Sequence, residues 1–384
     1  MEQLATDVAD EPHQLTRVAQ QLSAPIELGD ARGERPQQRL QIARSPLVVR
    51  LILLRHDVEN YRGRNDPQAT PALDRRAPTS EHHRGARRTT SGAPPVRASP
   101  PESTIDADLL RVPIGPGSIH VERYGHGGRA ILLIHGFATS SFLWRAVAPA
   151  IAEGGHTVYA VDLLGYGESD RPLEADYSIT AQTEYLDRAM AAMRVPGATI
   201  VGLGIGGGIA QRLAVLRPER VEGLVLVNSV AFDECPGRDV RSVQLGTARF
   251  AIRVSHGVLG AAPLLRRVLE GSVAAPEAMP ARLVARYLAP FVGTEGVTHL
   301  LTLARALRTD EVEELDLSSV RVPSLVVWGE EERWLDSGLA ERLRSAIPGS
   351  VLLRLPGVGR LVPEEAPEAL SRAVLDLIER ESPR

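Results

Sequence analysis

The chain has 384 residues, 43% of them hydrophobic, and a formal net charge of −4, which is typical of a soluble globular protein. The near-neutral charge excludes a global basic field, so we expect neither a nucleic-acid partner nor a membrane partner. All 44 basic residues are arginine, which excludes lysine-based covalent chemistry, and the single cysteine excludes an internal disulfide and a cysteine-based zinc site.

The N-terminal region shows no targeting signal. Acidic residues stand where a secretory signal has its basic region, and no apolar core follows. The apolar run at 46–54 is interrupted by Arg50 and is too short to span a bilayer. The sequence therefore predicts a cytoplasmic protein. Its lysine-free composition, rich in alanine, glycine and proline, is typical of translation from the genome of a GC-rich bacterium.

Residues 1–105 differ in composition and in apolar periodicity from the rest of the chain. The stretch 55–103 is rich in Arg, His, Pro, Ser and Thr and has almost no apolar periodicity. Such a segment buries too little apolar surface to offset its ordering entropy, so we predict a disordered, low-complexity extension over 1–105. The basic cluster at 84–88 leaves an acidic partner open, but we favour a solvated tail or a start codon assigned too far upstream.

From residue 106 onward, short apolar runs alternate with helical patterns. Two strands surround a Gly-Pro turn at 112–125. Further predicted strands lie at 130–136, 156–165, 198–204, 221–229, 322–330 and 350–357. Predicted helices lie at 142–154, 178–193 (capped by Ser178 or Thr180), 205–218 and 367–382. This alternation predicts an α/β protein with a mostly parallel, doubly wound sheet and a site at the carboxyl ends of the strands.

An insertion separates the two parts of this predicted core, 106–230 and 321–384. Between them, residues 231–320 contain amphipathic helical runs at 243–260, 280–292 and 297–308. They predict a helical lid that forms an apolar ceiling over a pocket. Candidate wall residues, for which packing of lid against core is the alternative, are Phe250, Tyr287, Phe291 and Trp334.

Four sequence motifs follow one another between residues 132 and 334. They are LLIHGFATSSFLW at 132–144, VDLLGYGESDRP at 161–172, GLVLVNS at 223–229 and PSLVVWGEEERW at 323–334. Together they resemble the α/β-hydrolase superfamily, in the branch of esterases, haloperoxidase-like enzymes and carbon–carbon bond hydrolases. The resemblance covers 106–384 and implies an α/β-hydrolase fold. The run at 201–228 is also locally similar to the N-myc downstream-regulated family, whose members share the fold and are regarded as lacking catalysis.

The resemblance assigns roles to particular positions. It implies that the backbone N–H groups of Phe137 and Ile205 are oxyanion donors and that His135 and Asp162 are structural. The nucleophile position of the G-x-S-x-G turn holds Gly204, the acid position Glu332 and the base position Arg360. Glycine has no attacking side chain and arginine has no lone pair for general-base catalysis, so we predict an ion pair between Glu332 and Arg360 instead of a hydrolytic triad.

Three functions remain open at this point. The first is non-hydrolytic chemistry (cyclisation, isomerisation or a lyase reaction) on a small apolar metabolite, as in secondary metabolism. The second is a ligand-binding pseudoenzyme. The third is an esterase or carbon–carbon hydrolase with a displaced triad, for which the candidate residues are Ser140, Ser141, Ser229, His256 and His299.

No cofactor or metal motif is recognised. The glycine-rich run at 202–208 matches a dinucleotide-binding pattern only loosely, because no acidic residue follows the next strand at the place that holds a ribose. The sequence does not set the oligomeric state.

Overall fold

The computed structural model describes residues 106–244 and 262–380. The disorder predicted for residues 1–105, and the pocket roles predicted for Phe250 and His256, lie outside the described residues.

Eight strands form one sheet, as the alternating pattern predicts. They are β1 (Asp108–Pro113), β2 (Ser118–Tyr124), β3 (Ala130–Ile134), β4 (Thr157–Val161), β5 (Ala198–Leu203), β6 (Val221–Val227), β7 (Ser324–Gly329) and β8 (Val351–Leu355). The strand order is β1-β2-β4-β3-β5-β6-β7-β8. β2 pairs antiparallel with both β1 and β4, and all other neighbours are parallel. Strands β5 and β7 are buried along their whole length, which explains their continuous apolar runs.

Helices cover the sheet. Those outside the insertion are α1 (Ala148–Glu153), α2 (Ile179–Ala192), α3 (Ile205–Leu216), α9 (Leu339–Ala346), α10 (Val362–Glu365) and α11 (Pro367–Arg380). α3 packs on β5 and β6 beside α2, whereas α11 packs on β6 and β7 beside α1. The core therefore lies between the sheet and these helices, and the fold class predicted from the sequence is confirmed.

The predicted elements differ from the structure mainly where helices are short. The helix predicted at 142–154 divides into a 3-10 turn, Ser141–Trp144, and α1. Pro149 lies in the first turn of α1, where its missing N–H costs no hydrogen bond but prevents continuation of a longer helix. The polar α9 and the four-residue α10 were not predicted. Of the two capping candidates for α2, Ser178 is the cap, and its Oγ accepts a hydrogen bond from the Ala181 N–H at 3.1 Å.

Most of the described residues between β6 and β7 are helical. They form α4 (Arg238–Gln244), α5 (Ala262–Gly271), α6 (Ala281–Leu288), α7 (Gly293–Ala306) and α8 (Asp310–Glu313). Three side chains of this insertion, Ser272, Tyr287 and His299, bond to the loop after β7, to α10 after β8 and to the loop after β4, respectively. The insertion therefore covers the carboxyl edge of the sheet. No helix within the described ranges is long and apolar enough to cross a membrane.

Candidate functional site

The turn from β5 into α3 brings Gly204 to the carboxyl edge of the sheet. Gly204 has φ 57° and ψ −117°, a backbone conformation that glycine adopts without steric cost. Its carbonyl accepts hydrogen bonds from the N–H groups of Gly207, Gly208 and Val230 at 3.0–3.3 Å. A Cβ atom on Gly206 would lie 2.4 Å from the Ile134 carbonyl oxygen, so only glycine lets α3 start this close to β3. The strand, turn and helix thus form the sharp elbow that the sequence motif predicts.

Two backbone donors lie beside this elbow. Ile134 pairs with Gly202 across the adjacent strands β3 and β5, and Phe137 and Ile205 each follow three residues later. Within the described part of the chain, neither the Phe137 N–H nor the Ile205 N–H has a hydrogen-bond partner. The two donors that the resemblance implies therefore lie at the ends of neighbouring strands, without a backbone partner among the described residues.

Arg360, which follows β8, lies directly against the elbow. Its side chain is only 4% exposed, and a Cβ atom on Gly204 would stand 3.0 Å from its Nη2 atom. Its Nη1 atom lies 3.4 Å from Asp239 Oδ1 and 4.0 Å from Glu332 Oε1. The structure thus brings together the three positions singled out in the sequence and places the guanidinium where a nucleophile side chain would project.

Asp239 was missed by the sequence analysis. It lies in the first turn of α4, where an acidic residue is ordinarily solvated and favourable to the helix dipole. In the structure its side chain is 4% exposed and forms the shorter of the two ion pairs with Arg360. Only the position of the insertion relative to the sheet could have revealed this contact, and sequence periodicity does not give that position.

Glu332 is oriented by the ends of β6 and β7. Its Oε1 accepts from the Trp334 N–H at 2.6 Å and its Oε2 from Asn228 Nδ2 at 3.3 Å. Asn228 is itself fixed by the Gly329 N–H, which donates to its Oδ1 at 2.9 Å. Burial raises the pKa of Glu332 above its usual value, and the positive charge of Arg360 offsets this only in part. The site therefore holds one buried cation and two buried carboxylates.

His135 and Asp162 bind backbone groups. His135 Nδ1 lies 2.7 Å from the Gly136 carbonyl, and Nε2 accepts from the Leu163 N–H at 3.1 Å. Burial lowers the pKa of His135, which matches a neutral ring with both nitrogens engaged. Asp162 accepts from the N–H groups of Ser141 at 2.6 Å and Glu168 at 2.7 Å. Both residues fix the loops after β3 and β4 rather than reach the elbow.

Ser229 is not a pocket residue, contrary to the sequence-based expectation. It is fully buried, and its Oγ donates to the Val230 carbonyl and accepts from Gln211 Nε2, both at 2.9 Å. A Cβ atom on Gly207 would lie 2.0 Å from this oxygen, so Ser229 is enclosed between β6 and α3. Its hydroxyl fills the core beneath the helix.

No relocated triad is assembled in the described residues. The half-buried Ser140 makes no hydrogen bond to a histidine there, and the Ser141 hydroxyl donates to Glu122 at 3.1 Å. His299 Nε2 lies 2.6 Å from the Gly165 carbonyl oxygen, so this nitrogen is engaged by the backbone rather than by a serine. Cys235 is fully buried, and burial raises the pKa of its thiol to about 12, which disfavours a thiolate.

Tyr287 and Trp334 join the insertion to the core. The Tyr287 hydroxyl donates to Glu364 Oε1 at 2.5 Å, and Arg145 donates to both oxygens of the same carboxylate at 2.6 Å. Trp334 Nε1 donates to Ser272 Oγ at 2.9 Å. Both side chains therefore follow the alternative of lid-to-core packing. Across the described ranges, no cluster of three or more His, Cys, Asp or Glu side chains could hold a metal ion.

Comparison with known proteins places the chain in a family. The α/β hydrolase fold family matches residues 129–367, and the chain belongs to that family. It is 27% identical over 275 residues to the uncharacterized hydrolase YugF of Bacillus subtilis (strain 168), covering 70% of this chain and 97% of the relative.

Solved structures have the same fold. An α/β hydrolase fold protein from Burkholderia ambifaria has 29% identity and a TM-score of 0.61, covering 70% of this chain and 98% of its own. The 2-hydroxy-6-oxo-6-phenylhexa-2,4-dienoate hydrolase of Rhodococcus sp. strain RHA1 has a TM-score of 0.63, with 72% of this chain and 100% of that chain covered. At 21% identity, this second likeness shows the fold alone.

Proposed function

We propose that this protein holds a small apolar metabolite in an α/β-hydrolase pocket and converts it without hydrolysis, by cyclisation, isomerisation or a lyase reaction. The observation that carries the proposal is the position of Arg360 Nη2, 3.0 Å from where a Cβ atom of residue 204 would stand. A cation occupies the place of the nucleophile. Covalent acyl transfer therefore has no attacking group at the elbow.

The remaining polar groups suit charge stabilisation. Arginine stays protonated near neutral pH and offers no lone pair, so Arg360 does not act as a general base. Its guanidinium and the N–H groups of Phe137 and Ile205 are preformed donors, and such donors stabilise an enolate or enol-like transition state in a site that excludes water. Positioning and electrostatics then supply the rate enhancement without a covalent intermediate.

The state of Glu332 favours a catalyst over a protein that only binds. A carboxyl group whose pKa is raised by burial is suited to donating or accepting a proton, whereas a binding site needs only shape. The second candidate is a ligand-binding pseudoenzyme. It is supported by the ion pairs of Arg360 with Asp239 and Glu332, which balance the charge of the guanidinium inside the fold without any reaction.

A metabolite experiment tests the proposal directly. The full-length protein is incubated with a metabolite extract from a GC-rich bacterium and followed by untargeted mass spectrometry, with Gly204→Trp as the variant that fills the pocket. We expect the wild type alone to consume a metabolite and to form a product without gain of water. A metabolite that the wild type retains unchanged, and that Gly204→Trp does not retain, would establish the binding protein and overturn catalysis.

A fluorophosphonate probe tests the third possibility, a hydrolase with a displaced triad. We expect no labelled serine in the wild type and no activity on a panel of esters. The double variant Gly204→Ser/Arg360→His restores a nucleophile and a base beside Glu332, and we expect it to be labelled at position 204. Labelling of one serine in the wild type would overturn the proposal.

A further inference from the structure

Glu365, in α10, bridges the turn that carries Arg360 and the insertion. Its Oε2 atom accepts from the Gly359 N–H at 2.7 Å, and its Oε1 atom accepts from the Ala274 N–H at 2.8 Å. Glu365 is only 6% exposed. A buried carboxylate is stable only with its oxygens hydrogen-bonded, because an unsatisfied buried acceptor costs free energy. Glu365 therefore fixes the backbone directly before Arg360 against a segment of the insertion.

Ser272 makes a second contact between the same two segments. Its carbonyl accepts from the Leu361 N–H, directly after Arg360, at 3.0 Å. Its hydroxyl accepts from Trp334 Nε1 at 2.9 Å, and the Trp334 N–H in turn donates to Glu332 Oε1 at 2.6 Å. Arg360 and Glu332 are therefore both linked to residues 272–274 of the insertion through a nearby residue of their own loop.

The two segments approach closely. A Cβ atom on Gly359 would lie 2.8 Å from the Ser272 carbonyl oxygen and 2.9 Å from the Ala274 nitrogen. A Cβ atom on Gly271 would lie 2.8 Å from the Cζ2 atom of Trp334. Because packed interiors transmit displacements instead of absorbing them, a shift of this part of the insertion moves the turn and the tryptophan with it.

We infer that Glu365 is a positioning residue, which clamps the turn of Arg360 onto residues 272–274, so that the insertion sets the distance between Arg360 and Glu332. The inference goes beyond the proposed function, since it applies equally to an enzyme and to a protein that only binds a ligand. A movement of the insertion then changes the 4.0 Å separation between Arg360 Nη1 and Glu332 Oε1.

The titration of Glu332 reports this distance. Burial raises the pKa of Glu332, and the charge of Arg360 lowers it. The Trp334 N–H and the Asn228 amide also lower this pKa, whereas the charge of Asp239 raises it. At an effective dielectric constant of about 20, lengthening the 4.0 Å separation by about 1 Å raises the pKa of Glu332 further, by about half a pH unit.

The variant Glu365→Gln tests the inference. A glutamine has one acceptor atom and one donor atom at the end of its side chain, so it can accept only one of the two N–H groups. The full-length protein has three tryptophans, and selective ¹⁵N labelling gives a resolved backbone signal for Trp334, whose N–H donates to Glu332. Its titration midpoint is measured from pH 4 to pH 9.

We expect the midpoint to rise by about half a pH unit in Glu365→Gln. Loss of a negative charge at position 365 would by itself lower the midpoint, so a rise identifies the displacement of Arg360. An unchanged or lowered midpoint would overturn the inference. Glu364→Gln is the matched control, because Glu364 lies beside Glu365 in α10 but bonds Arg145 and Tyr287, and it should leave the midpoint unchanged.

The indole N–H signal of Trp334 is a second readout, and it decides where no midpoint falls within the pH range. Ser272→Ala removes the acceptor of this N–H and marks the position of the unbonded signal. We expect the signal to move towards that position in Glu365→Gln and to stay in place in Glu364→Gln. A signal that stays in place in Glu365→Gln, or that moves equally in both variants, would show that Glu365 does not position this part of the site.

Discussion

The two sides of the elbow are built differently. On the side of β3 and β5, the site is shaped by closely packed backbone. A Cβ atom on Gly202 or Gly206 would lie 2.3–2.4 Å from a carbonyl oxygen. On the side of β7 and β8, the site is shaped by buried charged side chains, and Arg360 forms ion pairs with Asp239 and Glu332. The first side keeps the shape of a hydrolase, whereas the second decides which chemistry that shape can support.

This difference separates fold from function within one site. The N–H donors of Phe137 and Ile205 belong to the backbone, so they persist whatever side chains occupy the neighbouring positions. The guanidinium of Arg360 is a side-chain feature, and it places a positive charge beside the elbow next to two buried carboxylates. A family assignment from the fold therefore does not by itself give the reaction.

The largest effect is expected on the charged side. Arg360→Met leaves Asp239 and Glu332 buried without their cation, and breaking a buried pair in this way costs about 3–5 kcal/mol of unfolding free energy. Urea unfolding measures the loss, with Arg342→Met on the surface as the control. A loss below about 1 kcal/mol would mean that the cluster is solvated and that the comparison between the two sides fails.

The backbone side is tested by Gly206→Ala. The added Cβ would lie 2.4 Å from the Ile134 carbonyl oxygen, so α3 must move away from β3. We expect a loss of about 1–3 kcal/mol in thermal or urea unfolding, as in other overpacked cores. Gly127→Ala is the matched control, because its Cβ meets nothing closer than 3.4 Å and should leave stability unchanged. Equal stability of both variants would contradict the close approach.

The link between insertion and core is tested by Tyr287→Phe. Removing the hydroxyl takes one hydrogen bond from the nearly buried carboxylate of Glu364, which keeps its two bonds to Arg145. We expect a loss of about 1.5 kcal/mol, typical of a hydrogen bond to a charged group. Tyr159→Phe is the control, since the Tyr159 hydroxyl makes no hydrogen bond within the described ranges. A loss no larger than that of the control would show that the contact does not hold the insertion.

The smallest effect is a change in pH dependence. Burial raises the pKa of Glu332 above its usual 4.5, so the folded protein favours the protonated carboxyl. That contribution to stability is complete below about pH 4.5 and is lost as the pH rises through the pKa of the folded state. Relative to Glu332→Gln, the wild type should therefore become less stable between pH 4 and pH 8. A constant difference across this range, measured by unfolding at each pH, would argue against a raised pKa.

Most of the fold could be predicted from the sequence, because buried parallel strands produce long apolar runs that few other elements produce. The strand predicted at 198–204 is β5 (Ala198–Leu203) for this reason. The cap of α2 was narrowed to Ser178 or Thr180 by residue type, and Ser178 is the cap. Short helices such as α10 have too few residues for a periodic signal. Asp239 and Ser229 were misjudged because their surroundings are set by residues distant in sequence, the first by Arg360 and the second by Gln211.

The shape of the elbow also limits how substitutions could place a nucleophile in this site. A serine at position 204 would have to adopt φ near 57° and would meet the guanidinium at 3.0 Å. Replacing Arg360 first would leave two buried carboxylates without a cation. Each single step therefore destabilises the protein before the second can restore a working pair. A serine nucleophile at position 204 together with a base at position 360 therefore requires both substitutions.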